Sequence, residues 1–250
     1  IVNVTPDSFS DGGLSQATPD AIAHGLRLAR AGADIVDVGG ESTRPGSDGV
    51  PEAEELARVI PVIEGLAREG IRVSCDTRKA KVMVEALKAG ATIINDVSAL
   101  GHDPKSLETL AAATCPVVLM HAQGDPRTMQ LNPTYENVAL DVYDYLEARI
   151  ASCEKAGIAP GRLAVDPGIG FGKTHEHNLE LLRNCGRFLT LGCPVMIGHS
   201  RKGFIAKIMG DKERDRLAGT VGVSLAVAPG QACYIPVGHR GTNVEQLSVE

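Results

Sequence analysis

Tryptophan is absent from this 250-residue chain, and aromatic residues make up only 3% of it. Proteins that bind single-stranded nucleic acid stack the bases on aromatic side chains, so this scarcity argues against that class. The formal net charge is −6, and Lys and Arg form no basic stripe, which argues against nucleic acid in general. We therefore expect small molecules rather than nucleic acid as ligands.

Long apolar runs and paired cysteines are also lacking. No apolar run approaches the roughly 20 residues that a membrane-spanning helix needs, so no membrane partner is expected. The sequence opens inside a strand-like run without a secretory leader, and we expect a few residues to precede it. Six scattered cysteines without a Cys-x-x-Cys pair favour reduced thiols over disulfides in a chain of this length. These features predict a cytoplasmic protein.

Short apolar runs alternate with amphipathic stretches along the whole chain. Such alternation predicts parallel strands joined by right-handed crossovers, and eight units match the size of a (β/α)8 barrel. We predict an α/β TIM barrel, one domain over residues 1–250, with an open doubly wound sheet as the alternative. The first helix is predicted over 20–31, capped by Thr18 with Pro19 in its first turn. The predicted strands cover residues 1–4, 33–38, 71–75, 92–95, 117–120, 163–165, 194–197 and 232–237.

Polar residues cluster directly after seven successive strand-like runs. The first run ends in Asn3-Val-Thr-Pro-Asp-Ser-Phe, and the seventh is followed by His199-Ser-Arg-Lys-Gly-Phe204. The opposite ends carry plain connections such as Ala-Gly-Ala and Glu-Gly-Ile. Because barrel enzymes build their active sites at the carboxyl ends of the strands, this asymmetry predicts a polar bowl on one face of an enzyme.

Three amide and carboxylate side chains follow buried strands directly, namely Asp76, Asn95 and Asp166. Converging at a barrel mouth, they can pair with the N–H and C=O edge of a flat heterocycle, such as a 2-amino-4-oxo ring. The alternative interpretation is that Asp76 and Asp166 only cap helices that follow their strands.

Cationic and hydroxyl groups lie in two of these loops and are suited to anions. They are Arg44 in Ser-Thr-Arg-Pro-Gly and Ser200-Arg-Lys202, although a solvated surface is the alternative for any one of them. Asn3 with Asp7 could hold a hard cation that bridges phosphates, since Mg²⁺ takes few protein ligands. No zinc-ligand spacing and no nucleophilic triad is visible, and His121 and His199 are interpreted as hydrogen-bonded structural residues.

The segment Gly168-Ile-Gly-Phe-Gly-Lys173 is rich in glycine but matches neither the P-loop nor the dinucleotide-binding pattern. We interpret it as a flexible lid or a close backbone approach to a ligand, with a plain turn as the alternative.

Seven of these motifs, in order from residue 1 to about 228, resemble the dihydropteroate synthase family. The most specific are Asn-Val-Thr-Pro-Asp-Ser-Phe-Ser-Asp-Gly-Gly, Asp-Val-Gly-Gly-Glu-Ser-Thr-Arg-Pro-Gly, Asp-Pro-Gly-Ile-Gly-Phe-Gly-Lys and Ser-Arg-Lys-Gly-Phe. The resemblance implies a TIM-barrel transferase of folate biosynthesis that condenses 6-hydroxymethyl-7,8-dihydropterin pyrophosphate with p-aminobenzoate. It further implies Mg²⁺, a homodimer, and inhibition by sulfonamides, which mimic p-aminobenzoate.

The resemblance also implies roles for individual residues. The pterin contacts are Asp76, Asn95, Met120, Asp166 and Lys202. Positions lining the p-aminobenzoate and pyrophosphate pocket are Thr43, Arg44, Pro45, Phe171 and Ser200, and Asn3 helps to hold the metal and pyrophosphate. We expect Arg44, Lys202 and Asp76 to be catalytic. Pyrophosphate would depart first and leave a pterin methylene cation for the arylamine to attack.

The chain departs from the family near its last predicted strand. Where the family usually carries Arg-Val-His-Asp, this sequence has Pro236-Val-Gly-His239. A proline lacks the N–H that a strand ladder needs, and two expected anion ligands are missing unless His239 and Arg240 replace them. Two alternatives to an active synthase therefore remain, a catalytically impaired pterin-binding paralogue and the pterin-binding domain of a methyltetrahydrofolate methyltransferase.

Overall fold

The computed structural model describes residues 1–5, 13–42, 46–124, 127–210, 216 and 220, with only the backbone described for 13–17. In this part of the chain, strands and helices alternate as predicted. The strands are β1 (Val2–Asn3), β2 (Val36–Gly39), β3 (Val73–Asp76), β4 (Ile93–Asp96), β5 (Val117–Met120) and β6 (Leu163–Asp166). The helices are α1 (Gly13–Arg30), α2 (Glu52–Arg68), α3 (Ala80–Lys88), α4 (Ser106–Ala111), α5 (Val138–Lys155), α6 (His175–Arg183), α7 (Cys185–Phe188) and α8 (Gly203–Met209).

The six strands form one parallel sheet whose spatial order is their order in the chain. A doubly wound sheet reverses its strand order at a switch point, and no described pair does so, which makes that alternative wrong. Val195 forms a parallel bridge with Val165, so the seventh predicted strand continues the series. The fold is the predicted TIM barrel. Its eighth predicted strand lies outside the described residues, and the extent of the domain over 1–250 remains a prediction.

The strands are short and buried on both faces, as expected where helices cover a parallel sheet. All four residues of β2 and all four of β5 are buried. Val, Ile and Leu side chains from both layers form one continuous core. Because the interior is filled by side chains, the open space for a ligand is at the ends of the strands.

The first helix differs from its prediction. It begins at Gly13 and passes through Pro19, so Thr18 is not its N-cap. A proline removes one backbone hydrogen bond, but the helix continues because its apolar face is buried, with Ala21 fully so. The contact with α2 is close, since a Cβ placed on Gly65 would lie 2.3 Å from Ile22 Cδ1.

Candidate active site

The carboxyl ends of the first four strands bring the predicted polar residues into one row. In the sheet register Asn3 pairs with Gly39, Gly39 with Asp76, and Asp76 with Asn95. Gly39 has no side chain to separate its neighbours, and a Cβ there would lie 3.5 Å from Asp76 Oδ2. The sheet therefore places Asn3, Asp76 and Asn95 at the same end of the barrel.

Asp37, two residues before Gly39 in β2, is a buried carboxylate next to this row that the sequence analysis did not select. Its Oδ2 accepts a long hydrogen bond of 3.5 Å from Asn95 Nδ2. Asp37 Oδ1 and Asn95 Oδ1 are buried without a hydrogen-bond partner among the described residues. Burial raises the pKa of Asp37, and hydrogen bonds from Ser74 and Asn95 oppose that rise. One signal was available, since Asp37 interrupts the apolar run Ile35-Val-Asp-Val38.

Asp76 stands in an unusually acidic environment. Burial raises its pKa well above the ordinary value, and the neighbouring carboxylates of Asp37 and Asp96 raise it further. Donor groups of a ligand at this carboxyl would relieve that repulsion. The capping interpretation is wrong for both candidate aspartates, because α3 begins after Lys79 without a side-chain cap and α6 is capped by Thr174.

Asp166 lies at the end of β6, beside Met120 at the end of β5 in the sheet register. Its Oδ1 accepts a hydrogen bond of 2.7 Å from the Gly168 backbone N–H. A Cβ on Gly198 would lie 3.4 Å from its Oδ2, so the seventh strand end lies directly beside that oxygen. Burial raises the pKa of Asp166, and the positive charge of Lys202 opposes this.

Lys202 connects the seventh strand end to the loop after β6. Its ammonium donates a hydrogen bond to the Ile169 carbonyl oxygen and lies 4.3 Å from the centroid of the Phe171 ring. Burial lowers the pKa of Lys202 to about 8, although Asp166 acts in the opposite direction. A partly desolvated cation next to an aromatic ring suits a ligand that is both flat and anionic.

The glycines of residues 168–172 allow this loop to lie close to the backbone of the loop after β5. Gly168, Gly170 and Gly172 have φ values of +70°, +83° and +61°. A Cβ on Gly168 would lie 1.8 Å from the His121 carbonyl oxygen, and one on Gly172 would lie 2.5 Å from that of Gln123. The loop after β6 thus packs tightly against the loop after β5, which contradicts the interpretation as a free lid.

Comparisons with known proteins show the family of this chain. The family model of the pterin binding enzymes matches residues 1–235. The dihydropteroate synthase of Escherichia coli K12 is 45% identical over 250 residues, covering 100% of this chain and 88% of that protein. The chain belongs to the dihydropteroate synthase family. The enzyme from Neisseria meningitidis serogroup C is 48% identical over 231 residues, covering 90% of this chain and 81% of that protein.

Solved structures of dihydropteroate synthases have the same fold. The Xanthomonas albilineans enzyme with 4-aminobenzoic acid matches with a TM-score of 0.84 and 49% identity, covering 90% of this chain and 81% of that one. The Yersinia pestis enzyme in a sulfonamide drug complex matches with a TM-score of 0.84 and 42% identity, covering 90% and 82%. The chain is thus a member of a family of transferases in folate synthesis.

Three of the residues that the family resemblance assigns to the arylamine pocket, Thr43, Arg44 and Pro45, lie outside the described residues. The residues just before them are held firmly. The Glu41 carboxylate accepts hydrogen bonds from Arg78 at 2.7 and 3.2 Å and from Lys79 at 2.9 Å. Burial alone would raise the pKa of Glu41, but these two cations lower it below its ordinary value. Glu41 also accepts from the Val50 backbone N–H at 3.3 Å.

Asp96, which follows Asn95 in the chain, organises the loop after β4. Its carboxylate accepts from the backbone N–H groups of Ser98 and Leu100 at 2.7 and 3.1 Å, while Ala99 and Leu100 adopt left-handed φ values of 49° and 60°. Burial raises the pKa of Asp96 to about 6. The sequence analysis selected Asn95 and not Asp96, whose carboxylate supports the loop.

The remaining predicted polar residues have mixed surroundings. Ser200 Oγ is buried and has no hydrogen-bond partner among the described residues, so it is available to a ligand. His199 and His121 are buried and hydrogen-bonded, as expected for structural histidines. The five cysteines in the described ranges are free thiols, and Cys233 lies outside them.

No group of three or more His, Cys, Asp and Glu side chains within the described ranges is arranged to hold a metal ion. Asn3 is exposed at the end of β1, and Asp7 lies outside the described residues. One amide oxygen suits a hard cation that keeps most of its ligands as water and phosphate oxygen. In the described part of the chain, no helix is both long enough and apolar enough to cross a bilayer.

Proposed function

We propose that this chain condenses 6-hydroxymethyl-7,8-dihydropterin pyrophosphate with p-aminobenzoate to give 7,8-dihydropteroate and pyrophosphate. The observation that carries the proposal is the arrangement of Asp76, Asn95 and Asp166 at the carboxyl ends of β3, β4 and β6 in one parallel sheet, with Lys202 beside Phe171. Family membership supports the same reaction, and the Xanthomonas albilineans relative has been solved in complex with 7,8-dihydropteroate.

In the proposed reaction the pterin edge pairs with the carboxylates and the amide, and Met120 lies against the ring. Lys202 receives the anionic part of a substrate, and Phe171 and Ser200 line the arylamine side together with Thr43, Arg44 and Pro45. Catalysis would consist of electrostatic stabilisation of the departing pyrophosphate and of positioning the amine. Asp76, Arg44 and Lys202 would be the residues nearest to the reacting atoms.

A divalent cation, proposed as Mg²⁺, would be held by Asn3 and by the pyrophosphate, and would neutralise the charge of that leaving group. A homodimer, a cytoplasmic location and sensitivity to sulfonamides are further parts of this proposal. The homodimer is supported by the family resemblance, the cytoplasmic location also by the scattered cysteines, and sulfonamide sensitivity also by the Yersinia pestis relative in a sulfonamide drug complex.

One assay tests the proposed function directly. Purified protein is mixed with the dihydropterin pyrophosphate and Mg²⁺, with and without p-aminobenzoate, and pyrophosphate and dihydropteroate are measured together. We expect both products in equal amounts only when the amine is present, and a sulfonamide should inhibit competitively with p-aminobenzoate. Tight pterin binding without either product would instead identify the impaired paralogue.

The impaired paralogue is retained as a second candidate because of one observation. The family match ends at residue 235, directly before Pro236-Val-Gly-His239, a segment that lies outside the described residues. The methyltransferase-domain alternative is not retained, since that domain has no need for the Ser-Arg-Lys and Thr-Pro-Asp-Ser-Phe motifs present here, and the relatives named above are synthases.

A further inference from the structure

Lys173 is a buried lysine to which the proposed reaction assigns no role. Only 3% of it is exposed, although it lies seven residues after the ligand-facing Asp166. Its ammonium nitrogen lies 2.9 Å from His121 Nδ1, 2.9 Å from the Phe171 carbonyl oxygen and 3.4 Å from the His121 carbonyl oxygen. A buried lysine is costly unless its donors are satisfied, and these three acceptors satisfy them.

These three contacts belong to two different strand-end loops. His121 follows β5 directly, and Phe171 is in the glycine loop that follows β6. With Nδ1 of His121 as an acceptor, the three acceptors match the three N–H donors of a charged ammonium. Lys173 therefore joins the two loops at the point where Gly168 brings them into backbone contact.

The charged and titratable groups around this contact are limited. Asp166 favours the charged form of Lys173, whereas burial and Lys202 lower its pKa well below the ordinary value. Burial, followed by Lys173 itself, lowers the pKa of His121 to about 3, so that the ring is neutral. The rings of Tyr135 and Tyr145 contact His121, and burial raises the pKa of both phenols.

We propose that Lys173 is a positioning residue of the synthase site, which fixes the Phe171 side of the arylamine pocket and supplies a second positive charge that keeps Asp166 ionised. The first part follows from its hydrogen bond to the Phe171 carbonyl oxygen, because the Phe171 ring in turn lies against the Lys202 ammonium. The second follows from its location, since its ammonium nitrogen would lie 3.4 Å from a Cβ on Gly168, whose N–H donates to Asp166 Oδ1 at 2.7 Å, and its three acceptors suit the charged form. The inference rests on the proposed function.

The test uses Lys173→Met, which keeps the length of the side chain without its charge or donors, and Lys173→Gln, which keeps a donor without the charge. Lys88→Met is the matched control, because Lys88 is exposed at the end of α3 and pairs only with Glu85 at 2.9 Å among the described residues. Circular dichroism and melting curves establish how much of each variant is folded before any rate is compared.

In steady-state kinetics at pH 8, Lys173→Met should raise KM for p-aminobenzoate about fivefold or more, with KM for the pterin substrate within about twofold. Lys173→Gln should recover part of that loss. A change in kcat alone, with both KM values unchanged, would reflect only the folded fraction and would overturn the positioning role.

Calorimetric titrations with a pterin are run between pH 4 and pH 8. As the pH falls, pterin affinity should begin to drop at a higher pH in both variants than in the parent, because Asp166 takes up its proton earlier. Without the charge of Lys173 the pKa of Asp166 rises, and we expect the midpoint to move up by about half a pH unit or more. An unmoved midpoint would mean that a neutral amine accepts a proton from His121 Nδ1, which overturns the inference. Because pterin binding is measured without turnover, this result stands even if the native chain releases no pyrophosphate.

Discussion

At the scale of single residues, the chemistry of the site depends on how much water each charged group loses. Asp76, Asp166 and Lys202 all have pKa values displaced toward the neutral form, and burial is the leading cause in each case. Such displacement is typical of functional sites. These groups are poorly solvated before a ligand binds. Each hydrogen bond from a ligand therefore contributes more to the binding free energy than it would at a solvated group.

Lys202 provides a pH test of this idea. Since its pKa is lowered to about 8, it holds an anion fully below that pH and loses its charge as the pH rises through it. We expect kcat/KM to fall above pH 8 in the native chain, and Lys202→Arg, which stays charged, to flatten that fall even if its maximal rate is lower. Lys207→Arg is the control, because Lys207 is exposed and pairs with Glu176. A native profile that stays level to pH 10 would contradict the role of Lys202.

At the scale of elements, the loops after β5 and β6 behave as one unit. Tyr135 donates to the Gly172 carbonyl oxygen at 2.7 Å, and the Gly170 N–H donates to Asn178 Oδ1 at 2.6 Å. These bonds connect the start of α5 and the first turns of α6 to the glycine loop. These bonds hold the loop in place at one side of the site. Its backbone contacts leave no room for a side chain at Gly168 or Gly172.

A pair of glycine substitutions separates backbone strain from steric contact. Gly168 and Gly192 have similar φ values of +70° and +76°, but only a Cβ on Gly168 meets other atoms. Gly192→Ala should lower the free energy of unfolding by about 1–2 kcal/mol, whereas Gly168→Ala should add about 1–3 kcal/mol to that loss and raise KM for p-aminobenzoate. Urea denaturation measures both. Equal losses would show that the two loops separate easily.

At the scale of the whole molecule, consecutive parallel strands gather residues that are far apart in sequence. Asn3 and Asp166 are 163 positions apart, yet both stand at carboxyl ends of strands in the same sheet. The seventh strand position continues this series through Val195. The eighth predicted strand, where the sequence departs from its family, lies outside the described residues.

That segment gives the last prediction. If Pro236 and Gly238 replace two cations that bind pyrophosphate, turnover should be low while pterin binding persists. Pro236→Arg together with Gly238→His should then raise the rate of pyrophosphate release at least about tenfold, since one such donor contributes about 2.7–4 kcal/mol. Pterin affinity, measured by calorimetry, should change little. Native turnover equal to that of the double variant would mean that His239 and Arg240 already supply the charge.

The sequence by itself determined the class of fold and the strand ends at which its candidate pterin residues lie. Apolar runs alternating with amphipathic stretches are local patterns, and so β5 has the bounds predicted for it, residues 117–120. The location of Asp76, Asn95 and Asp166 also followed from sequence, because a residue directly after a buried parallel strand must lie at the carboxyl edge. Sequence could not fix the start of α1, where packing against α2 outweighs the effect of Pro19.

Only the tertiary structure decided which neighbours each of these residues has. Asp37 lies against Asn95 because β2, β3 and β4 are adjacent and staggered. Lys173 is buried because its loop meets the loop of His121, 52 positions earlier in the chain. Such contacts depend on the order and register of the described strands. Burial and opposing charge are properties of that assembled environment, so the pKa values and the rigid glycine loop have no counterpart in local sequence.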